Sequence, residues 1–83
     1  MPVRFHPHAL ERMEERGATD EEVSATVEQG EQLAAKFGRT GFRRNFTFDA
    51  KWRGRYYRTK QIQAYTVQEG PDLLVITVIT RYF

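Results

Sequence analysis

The sequence predicts an α+β fold: two N-terminal helices packed on a four-stranded antiparallel sheet, all in one domain over residues 1–83. Three observations support this. The helical signals (an early proline, a capping box and two stop glycines) are confined to residues 7–30, and the residues beyond them form strand-like runs between turn residues. A chain of 83 residues supports one hydrophobic core and no second.

The first helix is expected over residues 7–16. Pro7 suits the first helical position, where its missing N–H would be unpaired anyway, and Gly17 suits the C-terminal cap. Thr19-Asp20-Glu21-Glu22 is a capping-box arrangement that starts a second helix running to about Gln29, with Gly30 as its stop. Ala9, Leu10 and Met13 on the first helix, and Val23 and Val27 on the second, form narrow apolar stripes that require a partner layer.

Four strands supply that layer. The first is expected near Gln32–Phe37. The second, Phe42–Phe48, alternates Phe42, Arg44, Phe46 and Phe48 with Arg43, Asn45 and Thr47. The third spans about Arg55–Gln68. Its apolar residues change parity between Ile62/Ala64 and Tyr65/Val67, which predicts a bulge within it. The last, Leu73–Phe83, is apolar on both faces and is expected to be central. Asp49–Gly54 and Glu69–Asp72 are the turns.

Composition excludes several classes. An apolar content of 40% with 13% aromatic residues can build a core, unlike a disordered chain. With no cysteine there is no disulfide, thiolate metal site or thiol catalysis, which fits a cytoplasmic setting. The opening Met1-Pro-Val-Arg-Phe-His has no apolar run of signal or membrane-span length, and no membrane partner is expected.

The net charge of +2 hides a strong asymmetry. Residues 1–35 set three arginines against eight acids, a balance of −5; residues 36–60 set nine cations against Asp49 alone, a balance of +8; the rest is at −1. Concentrated positive charge creates a field that a polyanion feels. The cations Arg39, Arg43, Arg44, Lys51, Arg53, Arg55 and Arg58 are interleaved with rings that include Trp52 and Tyr57. Guanidinium groups neutralise phosphates and exposed rings stack on unpaired bases, so these nine residues form the candidate nucleic-acid surface. A competing reading makes the phenylalanines the buried face of a hairpin and the arginines its solvated face.

His8, Arg12 and Arg16 fall at i, i+4 and i+8 and form one row on the first helix. A histidine can take and return a proton near neutral pH, and guanidinium groups can stabilise the charge that builds as a 2′-hydroxyl attacks its neighbouring phosphate. The alternative is that the arginines pair with acids such as Glu15 or Asp20 on the helix surface. His6 and His8, separated by a proline and lacking a third ligand, make no metal site, and no cofactor is expected.

The run His8-Ala9-Leu10-Glu11-Arg12-Met13-Glu14-Glu15-Arg16-Gly17, continued by Thr19-Asp20-Glu21-Glu22-Val23, resembles the bacterial domain-of-unknown-function family 4258. Phe42-Arg43-Arg44-Asn45-Phe46, Arg53 to Gln61 and Val75-Ile76-Thr77-Val78 extend the resemblance over nearly the whole chain. It implies kinship with RelE-like and BrnT-like toxins, small cytoplasmic ribonucleases with two helices and a four-stranded antiparallel sheet, commonly neutralised by an antitoxin, here expected to be acidic. It further implies that His8, Arg12 and Arg16 are catalytic, and points to the last strands for more polar site residues, where Lys60, Tyr65 and Thr77 are the candidates. The expected function is metal-independent RNA cleavage of the toxin–antitoxin type. A non-catalytic nucleic-acid-binding module, or a domain docking an acidic protein, is the alternative.

Overall fold

Local signals at the chain's start translate directly into structure. In the computed structural model, which describes residues 2–83, helix α1 runs Pro7–Arg16 and helix α2 runs Asp20–Gln29. His6 is the N-cap of α1, its Nδ1 accepting the His8 backbone N–H at 3.0 Å, a role its sequence context does not signal. The capping box of α2 is complete: the Glu22 N–H donates to Thr19 Oγ1 at 3.1 Å and the Thr19 N–H donates to Glu22 Oε1 at 2.9 Å.

Gly17 ends α1 in the left-handed conformation, with φ 76°. A Cβ at this position would lie 2.6 Å from the Trp52 ring, so glycine is required here for space as well as for dihedral angle.

The sheet differs from expectation in strand number and pairing. Five strands, β1 (Val3–Phe5), β2 (Glu31–Ala34), β3 (Thr40–Trp52), β4 (Arg55–Glu69) and β5 (Asp72–Tyr82), lie in the order β1-β5-β4-β3-β2. Strand β1 is parallel to β5 and the other pairs are antiparallel, so the sheet is mixed and not the four-stranded antiparallel one predicted. Three residues carry too little alternation to be read as a strand. Their partner, Leu73–Val75, lies at the far end of the chain, and that long-range pairing alone makes Val3–Phe5 extended.

The predicted first strand, Gln32–Phe37, shrinks to Glu31–Ala34 because the chain reverses through Phe37 (φ 62°) and Gly38 (φ 70°). Phe37 is 87% exposed. Strand β3 outlasts the predicted Phe48 because a bulge after Thr47, with Asp49 at φ 42°, lets pairing resume at Ala50↔Tyr57. The expected Asp49–Gly54 turn narrows to Arg53-Gly54, both at positive φ as a two-residue hairpin loop demands.

The bulge predicted in the third strand lies instead in β5. Along β4, Lys60, Ile62, Ala64 and Thr66 alternate regularly into the buried face. Pairing jumps from Tyr65↔Thr77 to Thr66↔Val75, leaving Ile76 as the extra residue. That insertion is why Val75 and Val78, three apart, both face the core.

Both helices cover one sheet face. Ala9, Met13, Val23 and Val27 pack on Ile62, Ala64, Val75 and Val78, with Phe42 and Phe46 at the margin. Among the described residues no helix is long and apolar enough to cross a membrane.

Candidate nucleic-acid interface

The tip of the β3–β4 hairpin curls against the C-terminal end of α1. Tyr82 sits at the centre: Trp52 stacks on it at 5.2 Å and 15°, Phe48 meets it edge-on at 5.2 Å, and Tyr57 tilts against it at 5.5 Å. The Tyr82 hydroxyl donates to the Arg16 carbonyl at 2.6 Å, and Arg53 donates to the Glu15 carbonyl at 2.9 Å while lying over Trp52. Two donors thus satisfy carbonyls that the last helical turn leaves free. Burial and then the Glu22 carboxylate push the Tyr82 hydroxyl pKa up, against a smaller opposing effect of Arg53.

These contacts sort the candidate residues. Trp52 and Tyr57, read as base-stacking rings, are largely engaged in this aromatic cluster. Arg43 pairs with Glu31 at 2.8 Å; Arg44 donates to Gln29 at 2.7 Å and lies over Phe46. Lys60, expected among the catalytic groups, is buried beneath the α1–α2 turn. Its ammonium donates to the Gly17 carbonyl at 2.5 Å and to Glu22 Oε1 at 2.7 Å, so its charge is committed to holding the fold.

Lys36, Arg39, Lys51, Arg55 and Arg58 remain exposed, with no carboxylate partner among the described residues. They do not form one patch. Lys36 and Arg39 lie before β3, whereas Lys51, Arg55 and Arg58 lie at the hairpin tip. Thirteen residues of strand, at about 3.3 Å each, put roughly 40 Å between those groups.

The helix row meets the hairpin only at one end. His8 and Arg16 are exposed, and Arg12 is half-buried and pairs with Glu15 at 3.1 Å. Eight residues at about 1.5 Å per residue place His8 about 12 Å from Arg16 along the axis. Arg16 adjoins the hairpin tip, and His8 lies beside the start of α1, where the His6 N–H donates to the Val75 carbonyl.

Tyr65 and Thr77 are cross-strand partners on the sheet face away from the helices, so the structure brings them to each other and not to His8. On that open face a polar row crosses from β4 to β3, joining the candidate Tyr65 to Gln63, Gln61 and Asn45, which are not among the sequence-based candidates. The Tyr65 hydroxyl donates to Gln63, Gln63 to Gln61 and Gln61 to Asn45, at 3.1, 3.3 and 3.0 Å. Its signal in the sequence is the polar character of Gln61, Gln63 and Tyr65, every second residue of β4. Farther along, Thr47, Asp49, Arg58, Thr59 and Phe83 line a shallow depression of about 350 Å³. The Asp49 carboxylate accepts the Tyr56 hydroxyl at 2.7 Å, and this hydrogen bond raises the Tyr56 pKa.

Fold and surface together define a small α+β domain with an exposed cationic hairpin docked on a helix end. The chain belongs to the family described as Domain of unknown function (DUF4258), whose model matches residues 5–80. No curated protein matches the chain, and no solved structure does.

Proposed function

We propose that the protein binds RNA through the β3–β4 hairpin and the adjoining end of α1. The observation that carries this reading is the surplus of unneutralised charge at the hairpin: Lys51, Arg55 and Arg58 are exposed without carboxylate partners among the described residues, beside exposed Arg16. Among the described residues five acids pair with other cations, so the free cations are left for phosphates. Binding of a labelled single-stranded RNA, monitored by fluorescence anisotropy, should weaken steeply with salt. Lys51→Ala and Arg55→Ala should each flatten the log–log salt slope by about 0.7. Salt-insensitive binding, or none, refutes the reading.

A second reading adds RNA cleavage, as in the RelE-like and BrnT-like toxins to which the family resemblance implies kinship. One observation favours it: the His8 imidazole is exposed and hydrogen-bonds to no other described residue, so both nitrogens are available for proton transfer one helical turn from Arg12. Labelled RNA incubated with the protein in EDTA should then be cut, and His8→Ala should abolish cutting without weakening binding. An acidic antitoxin would cover the same hairpin cations and compete with RNA for them.

A further inference from the structure

Asp49 is the single acid among residues 36–60, and its setting is unusual on three counts. It occupies the β3 bulge with φ 42°, a left-handed backbone that non-glycine residues seldom adopt. Its Oδ1 accepts the Tyr56 hydroxyl at 2.7 Å, which orients the carboxylate. It lines the same depression as Arg58, yet the two form no ion pair, so an acceptor and a donor stand side by side with neither cancelled by the other.

The rest of the depression suits a planar, polar ring. Phe83 is 56% exposed and offers an aromatic face, and Thr47 and Thr59 add two hydroxyls. The volume, about 350 Å³, falls at the low end of small-ligand sites, which span roughly 300–1,000 Å³. A carboxylate would repel phosphate, so this spot is poorly suited to the RNA backbone although Arg58 lines it. It suits a base edge that presents N–H groups.

Of the four RNA bases, guanine alone presents two adjacent donors on its Watson–Crick edge, N1–H and the 2-amino group, next to an acceptor, O6. Two donors match a carboxylate, and O6 matches a guanidinium. Adenine and cytosine each set one donor against an acceptor that Asp49 would repel, and uracil offers a single imino donor between two carbonyls. We infer that Thr47, Asp49, Arg58, Thr59 and Phe83 form a site for one unpaired guanine of a single-stranded RNA, with Asp49 reading N1–H and the 2-amino group, Arg58 reading O6 and Phe83 stacking on the ring. The inference rests on the RNA-binding reading and adds base selectivity to it.

The test uses fluorescein-labelled ten-nucleotide RNAs, all uridine except for a central guanosine, inosine or adenosine, titrated with the full chain by anisotropy. Guanosine should bind about tenfold more tightly than adenosine, and inosine, which lacks the 2-amino group, should fall between them. Asp49→Asn keeps an acceptor for Tyr56 but turns a donor toward the base, and should erase the guanosine preference while leaving salt-dependent binding in place. The inosine comparison requires no change in the protein, so it stands even where a variant folds poorly. Equal affinity for the three RNAs, or a preference that survives Asp49→Asn, overturns the guanine site and leaves RNA binding intact. No binding of any of them overturns both.

Discussion

Removing Glu22 strikes at two structures at once. Its Oε1 accepts both the Thr19 N–H, completing the α2 cap, and the ammonium of Lys60, which is only 4% exposed. Glu22→Ala leaves that buried ammonium with the Gly17 carbonyl as its remaining acceptor. Breaking a buried ion pair by deleting one partner costs about 3–5 kcal/mol, and the capping hydrogen bond adds about 0.5–1 kcal/mol. The Glu22 side chain is 24% exposed, which admits water to the pair and brings its share down to about 2 kcal/mol, so about 3 kcal/mol is expected in all. For a domain of this size that lowers Tm by roughly 12–24 °C, at about 4–8 °C per kcal/mol.

Lys60→Met replaces the charge by an apolar chain of similar length and leaves a partly solvated carboxylate that keeps its cap. It should cost only about 1 kcal/mol. In the double variant the buried charge is gone, so Glu22→Ala should cost little more than its cap, a coupling of about 2 kcal/mol. Urea denaturation of the four proteins measures the cycle. A Glu22→Ala loss below about 1 kcal/mol, or the same loss with and without Lys60, refutes the assignment of this pair as the tie between the α1–α2 turn and the sheet.

The geometry sets three more expectations. Gly17→Ala meets both a left-handed backbone and the Trp52 ring, so it should cost at least about 2 kcal/mol in urea unfolding, and an effect under about 0.5 kcal/mol contradicts that close approach. The raised hydroxyl pKa of Tyr82 stabilises the fold fully below the unfolded value near 10, and that stabilisation is lost as pH climbs through the higher folded value. The urea midpoint of the wild type should therefore fall more steeply above pH 10 than that of Tyr82→Phe, and parallel curves exclude the linkage. Lys51→Ala combined with Arg55→Ala should weaken RNA binding about tenfold or more at low salt, whereas Arg43→Ala, whose guanidinium already pairs with Glu31, should have a smaller effect.

Both helices were legible because their signals are local. Pro7, Gly17, Thr19, Glu22 and Gly30 all act within one turn, and helix bounds of 7–16 and up to Gln29 needed nothing from the rest of the chain. Strand details depend on partners. Val3–Phe5 becomes a strand only beside Leu73–Val75, and an inserted residue in β5 is invisible where both faces are apolar. The parity change in β4 marks its two faces, each with its own apolar residues, and no bulge. The charge of residues 36–60 was legible as a sum, but its distribution was not. Lys60 is drawn into the interior by Glu22, 38 residues earlier, and Arg43 is neutralised by Glu31 across the strand pair. Asn45, Gln61 and Gln63 look ordinary in sequence and become a row only when β3 and β4 align.

The placement of β5 bears on how the protein is made. It lies between β1 and β4, and α1 rests on it, so the first strand and first helix have no surface to settle on until Asp72–Tyr82 has been synthesised. Helix α2 and the β3–β4 hairpin can associate earlier, but α1 must wait with Ala9 and Met13 uncovered. Assembly of these elements is therefore concerted, completed only once β5 is clear of the ribosome, and a chain stalled before β5 exposes both a helix stripe and the bare edge of β4 to whatever is nearby.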